Sequence, residues 1–124
     1  MTVLDADVLV DFLSREGAWK KVQAEIAART AATTAVAALE VWCGLREEES
    51  RAAFRAVLRA MRRRVFPLEE RHAERAGALF RQLGLSKGQR DCLIAAICLD
   101  RRAPLLTRNW RHFERVPGLE VVRG

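Results

Sequence analysis

The chain opens on an apolar run, residues 2–5 (TVLD), that predicts a short buried strand, and then carries Val8, Leu9, Phe12 and Leu13 at helical spacing over residues 7–15. Strand passes directly into helix. Gly17 breaks the pattern before a second helix containing Trp19, Val22 and Ile26, and residues 30–34 (TAATT) predict a brief strand ending in a helix cap. The helix AVAALEVWCGL follows. From about residue 47, Phe54, Val57, Leu58 and Met61 form an apolar stripe, with Arg51, Arg55, Arg59 and Arg62 in a row that reads as a solvated face. Residues 64–68 (RVFPL) predict another short strand, residues 69–83 a helix and Gly84 its stop. Ser86 is placed to cap the next helix. Its run DCLIAAICL is apolar all round, as expected of a helix packed on a sheet, and strands follow at 105–107 and near 119–122.

Alternating strands and helices predict an α/β fold: a three-layer α/β/α sandwich with a short, mostly parallel central sheet. The 124 residues fit one domain, 1–124, long enough to bury a core without disulfides or a structural metal. Half the residues are hydrophobic, which excludes a disordered chain, and 22 Lys plus Arg against 16 acids leave a charge of +6, which makes polyanions natural partners. Cys43, Cys92 and Cys98 lie in apolar runs and form no CxxC pair, so they read as buried thiols of a reducing compartment. With only His72 and His112 beside them, a structural zinc site is not expected, and any metal present should be hard and oxygen-bound. No signal sequence and no apolar run of membrane length is visible, so the expectation is a cytoplasmic protein without membrane association.

Most acids have a nearby explanation. Asp11 has Arg15 one turn later and Glu47 has Arg51, so both read as exposed helical ion pairs. Glu40 has no such cation among Val36, Ala37, Cys43 and Gly44; it is either a partly exposed or backbone-bonded helix acid, or one with a function. Asp91 shares a face with Ile94, Ala95 and Cys98, although an acid in a first helical turn also gains about 0.3 to 1 kcal/mol from the helix dipole. One of Asp5 and Asp7 can cap the first helix, which leaves the other unexplained. Taken together they make more sense, because ligands of an open parallel sheet bind beyond the carboxyl ends of its strands, where Asp5 belongs. Clustered carboxylates repel one another, and a divalent cation such as Mg²⁺ or Mn²⁺ reverses that penalty. Such an ion activates water and stabilises charge on a phosphate oxygen.

The segments VLDADVLVDFL, TTAVAALEVWCGL, RDCLIAAICL and LLTRNWRHFERVPGLEV occur in order over nearly the whole chain and resemble successive blocks of the PIN-domain family, most closely its VapC-type ribonuclease toxins. The resemblance implies an Mg²⁺- or Mn²⁺-dependent endoribonuclease that hydrolyses RNA phosphodiesters with metal-activated water. It further implies metal-binding acids at Asp5, Glu40 and Asp91, a fourth catalytic position at Asn109, and Thr107 in the same motif. The family often has Asn or Ser where this chain has Asp7, and many members have an acid where it has Asn109. Asn109 contributes no charge, which bears on a second ion; Asp7 either compensates or caps the helix. Thr107 and Asn109 also read as turn residues at a strand end. His112 is assigned to orienting the loop or touching a phosphate rather than to proton transfer, and Trp110 to anchoring the loop or stacking on a base. Lys87, Arg90, Arg108 and Arg111, close in sequence to the acids, are the candidate RNA-binding cations. A cognate VapB-like antitoxin and a homodimer are implied by the resemblance alone.

Two other readings compete. A haloacid dehalogenase-like phosphatase fits the D-A-D-V stretch after an apolar strand, but its later metal acids follow another strand whereas Asp91 opens a helix. A non-catalytic RNA-binding module of the same fold fits the uncharged Asn109. Metal-dependent RNA cleavage, phosphate release from monoesters, and binding without cleavage distinguish the three.

Overall fold

The computed structural model describes residues 1–124. Five strands, β1 (Thr2–Leu4), β2 (Ala31–Thr34), β3 (Val65–Phe66), β4 (Leu105–Thr107) and β5 (Val121–Arg123), form one sheet in the order β3-β2-β1-β4-β5. Every neighbouring pair is parallel, with Val3 opposite both Ala32 and Leu105 and Leu106 opposite Val122. Parallel pairing demands crossovers. They are supplied by α1 (Ala6–Ser14), α2 (Trp19–Ala27), α3 (Ala35–Gly44), α4 (Glu48–Ala60), α5 (Glu70–Gln82), α6 (Gln89–Arg101) and the short α7 (Trp110–Phe113).

The twofold period of the strands sorts their side chains into two cores. Leu4 and Leu106 face Val8 and Leu9 of α1, Val22 of α2 and Phe54, Val57 and Leu58 of α4. Val3 and Leu105 point the other way, onto Ala76 and Leu79 of α5, the apolar run Cys92–Cys98 of α6, and Phe113. The helix α3 contributes Val36 and Ala37 to one core and Ala38 and Val41 to the other. Three layers result, with α3 at the seam.

Several local expectations are corrected. The helix after Gly84 begins at Gln89 with Gly88, not Ser86, at its N-cap, because Gly88 adopts φ 94° and turns the chain inward there. Only Cys92 and Cys98 are buried; Cys43 faces outward. Glu47 and Arg51 do not pair: the Arg51 guanidinium donates to the Leu45 carbonyl at 3.2 Å and lies 4.9 Å from the Trp42 ring. The ion pair on α4 is instead Arg55 with Glu48, at 2.8 Å and exposed, so Arg55, Arg59 and Arg62 keep the row on the solvent side while Arg51 folds onto Trp42. The strand expected over residues 64–68 shrinks to Val65–Phe66, and α7 forms within a stretch read as loop.

One buried polar residue ties α5 to α6. Nδ1 of His72 accepts from the Glu69 backbone N–H at 2.9 Å, which leaves the proton on Nε2 to donate to Asp100 at 3.0 Å. Arg71 adds a second donor to the same carboxylate at 2.9 Å, and the Asp100 pKa is held down at about 2 by these two hydrogen bonds. His72→Leu keeps the bulk and removes both bonds, so urea unfolding is expected to report a loss of about 1 to 3 kcal/mol.

Candidate metal centre

The carboxyl ends of the parallel strands and the amino ends of the following helices lie on the same edge of the sheet, and the order places β1 between β2 and β4, where the winding reverses. The acids gather at this switch point. Asp5, the residue after β1, is the N-cap of α1: Oδ1 accepts from the Ala6 N–H at 2.8 Å, and Oδ2 accepts from the Thr107 hydroxyl at 2.7 Å. Asp7, in the first turn of α1, turns back across the same edge. Its Oδ2 accepts from the Arg108 N–H at 3.1 Å, and its Oδ1 is buried without any hydrogen-bond partner. Asp5 therefore does the capping, and capping does not account for Asp7.

Glu40 reaches the site because Thr34 ends β2 and immediately caps α3, its hydroxyl accepting from the Ala37 N–H at 3.0 Å. Glu40 Oε1 is the second buried carboxylate oxygen without a partner. Asp91 stands in the first turn of α6, with Oδ2 3.3 Å from Nε2 of His112 on α7. Gly88 is required beside this pair, since a Cβ there would lie 3.3 Å from the His112 ring and 3.9 Å from Asp91, in addition to its positive φ.

The electrostatics bind these four acids into one system. Burial, then the charge of Asp7, pushes the Asp5 carboxyl up to about 7, against the Thr107 and Ala6 hydrogen bonds; Asp91 adds to the rise. Asp7 is raised chiefly by burial. Glu40 is raised by burial and by Asp91 and Asp7, with Arg90 opposing. Asp91 is raised by burial and by Asp7, with His112 and Arg90 opposing. Arg90 is thus the cation that the α3 sequence lacked, supplied from α6. Thr107→Val removes a donor that stabilises ionised Asp5, so the Asp5 carboxyl is expected to titrate above its wild-type midpoint by carbon-detected NMR.

The remaining predicted positions divide. Thr107 is central: fully buried, it donates to Asp5 and receives the Asn109 N–H at 3.0 Å. Asn109 itself is exposed and makes no side-chain cap for α7. Trp110 is half-buried, with the Arg123 guanidinium 3.8 Å and that of Arg111 4.9 Å from its ring, which is an anchor for the loop. Lys87, Arg90, Arg108 and Arg111 are all exposed. Sequence reasoning missed Asp11. It is buried at 6% exposure and pairs with Arg108 Nε at 3.0 Å, not with Arg15, which caps the helix in a left-handed conformation. Its signal was the i, i+4 spacing from Asp7, which puts both acids on one side of α1.

No three His, Cys, Asp or Glu side chains stand at the spacing of a preformed metal cage. The donor set nevertheless suits a hard divalent ion: carboxylates whose proton affinity is raised by burial and mutual repulsion, with two oxygens still unpartnered. Mg²⁺ in particular keeps several waters and is commonly held by one or two protein carboxylates, which tolerates wider spacing.

A PIN-domain family model matches residues 2–119, and the chain belongs to that family. Among solved structures it is similar to a VapBC complex from Rickettsia felis bound to a promoter DNA fragment, with 20% identity, TM-score 0.82, and 99% of this chain and 98% of that chain covered. It is also similar to a toxin–antitoxin complex from Klebsiella pneumoniae, with 27% identity, TM-score 0.78, and 98% and 96% covered. A DNA-bound VapBC from Salmonella typhimurium gives 19% identity, TM-score 0.81, and 99% and 98% covered. No curated protein matches the chain. No helix is long and apolar enough to cross a membrane.

Proposed function

We propose that this PIN-domain chain is a divalent-metal-dependent endoribonuclease and the toxin of a VapBC-type pair. The observation that carries the reading is the cluster of buried Asp5 with the half-buried Asp7, Glu40 and Asp91, in which Asp7 Oδ1 and Glu40 Oε1 are buried atoms without a partner. Asp5, Glu40 and Asp91 would hold Mg²⁺ or Mn²⁺, and Asp7 supplies the negative charge that Asn109 lacks. A bound ion of this kind activates water and offsets charge on the phosphate. The chain's own groups prepare the site for it. Thr107 fixes the Asp5 carboxylate in its ionised geometry, and His112 steadies Asp91. Asn109 offers an uncharged amide beside the scissile position, while Lys87, Arg90, Arg108 and Arg111 hold phosphates of the RNA strand by charge.

The family likeness to complexes of toxins with antitoxins supports a VapB-like antitoxin as protein partner, and a homodimer and a cytoplasmic location belong to the same reading. Membership of the PIN family leaves the phosphatase reading without support. The test is incubation of the antitoxin-free chain with structured RNAs in Mg²⁺ or Mn²⁺ and in EDTA. Cleavage that requires the metal is the expected result; binding without cleavage in either condition would make the chain the non-catalytic module instead.

A further inference from the structure

A second charged feature lies beside the acids and has the opposite sign. The turn between α1 and α2 and the loop after β4 enclose a shallow cavity of about 320 Å³, lined by Gly17, Ala18, Lys20, Lys21, Arg108 and Gly124. Three of its six lining residues are cations. Arg108 belongs to both places, because its backbone N–H donates to Asp7 in the acidic cluster while its side chain lines the cavity. An anion in the cavity is therefore one residue away from the acids.

The cavity is built around Asp11. This carboxylate is buried, yet no acid, metal or substrate role is required of it at the acidic cluster. Its Oδ2 accepts from the Ala18 N–H at 2.9 Å and lies 3.0 Å from Arg108 Nε. The turn presses so closely on it that a Cβ on Gly17 would fall 2.4 Å from the same oxygen, and Gly17 adopts φ 50°. A charge this buried is costly unless paired, so the pair persists, and it engages only one edge of the guanidinium. Arg108 remains half-exposed, with donors left for a ligand. Lys20 holds its ammonium near the Trp19 ring and is otherwise free, and Lys21 donates to the Arg123 carbonyl at the rim.

We propose that this cavity binds a backbone phosphate of the RNA strand flanking the one at the acids, and that Asp11 is a positioning residue that sets the Arg108 guanidinium for it. The proposal rests on the nuclease reading for the identity of the strand. A fixed fork of donors favours a phosphate oxygen pair, and the lysines add charge without geometric demand.

The test is fluorescence anisotropy of a labelled single-stranded 12-nucleotide RNA, in Mg²⁺ and across a salt series, using the whole chain in the Asp91→Asn background to keep the strand intact. Lys20→Gln and Arg108→Gln are each expected to weaken binding about threefold to tenfold and to reduce the slope of log affinity against log salt by about 0.7. Asp11→Asn separates positioning from bulk charge. Removing an acid tightens RNA binding if only net charge matters, whereas loss of the Arg108 tether weakens it, and the proposal predicts weaker binding. Circular dichroism melting identifies folded variants, and Lys20→Gln, at an exposed side chain, keeps the test open should Asp11→Asn unfold. Unchanged affinity and slope in Lys20→Gln and Arg108→Gln, with wild type still cleaving RNA, overturns the subsite and leaves the nuclease standing. Losses of affinity in these variants, with wild type failing to cleave, would remove the nuclease and keep the phosphate site.

Discussion

Asp5→Asn is expected to reduce metal-dependent RNA cleavage by at least about 10³-fold, a rise in barrier of about 4 kcal/mol. The reason lies in what the substitution leaves intact. An asparagine oxygen can still cap α1 through the Ala6 N–H, and its amide N–H in the Oδ2 position can donate to the Thr107 oxygen in place of accepting from the hydroxyl, so the edge of the sheet keeps its shape. What disappears is one negative charge, the buried one, among the four acids. Asp91→Asn should do the same from α6, while retaining a polar contact with His112. Rates measured on one RNA at saturating Mg²⁺ check this, and a loss of less than tenfold in either variant would contradict the assigned roles.

The second large effect is a dependence of stability on pH that runs opposite to that of a salt-bridged acid. In the folded, metal-free chain Asp5 titrates at about 7, against 3.8 as its ordinary value. Between these values the native state holds a proton that the unfolded chain has released, so stability falls as pH rises through this window. The contribution is fully present below about pH 4 and lost by about pH 7, and three pH units correspond to about 4 kcal/mol as an upper bound. The raised Asp7, Glu40 and Asp91 act in the same direction. Urea unfolding in EDTA should therefore show wild type losing stability from pH 4 to 7, with a much flatter profile for Asp5→Asn. Adding Mg²⁺ at pH 8 should recover about 2.7 kcal/mol at a concentration one hundred times its Kd. Parallel profiles for the two proteins would remove burial and repulsion at Asp5 from the account.

The architecture was legible wherever periodicity and punctuation agreed. Val3 and Leu4, or Leu105 and Leu106, announce strands, and the unbroken run from Cys92 to Cys98 announces a helix covered on most sides. Glu40 stood out because it lacked a local cation, Asp91 because it shares an apolar helix face, and Asp5 because it lies at the carboxyl end of a strand where one cap cannot explain two acids; the resemblance of the four sequence blocks assembled them. Long-range contacts were less legible. Asp11 has Arg15 at the right helical spacing, but its actual partner is Arg108, ninety-seven positions away, because Gly17 folds the chain over its carboxylate. Arg51 likewise prefers the Trp42 ring to Glu47. Local spacing reports what can meet on one helix and is silent on what a sheet brings together from elsewhere. The exposed Cys43 shows the same limit, since α3 is apolar on more sides than the two cores cover.

These residues also explain why Asp7 matters more than its place beside a helix cap suggests. Asp5 takes the cap, so Asp7 is left with a buried, unpartnered oxygen next to Asp5, while Asn109, the expected fourth position, is exposed. The proposed site therefore has four acids, with Asp7 at the start of α1 and the uncharged Asn109 after β4. The most direct measurement is titration of the metal-free chain with Mn²⁺, following loss of the free-ion electron paramagnetic resonance signal, for wild type, Asp7→Asn, Glu40→Gln and Asp91→Asn. The account predicts binding by wild type and at least about tenfold weaker binding in each variant. An undiminished free-ion signal with wild type, or equal affinity in Asp91→Asn, would contradict it.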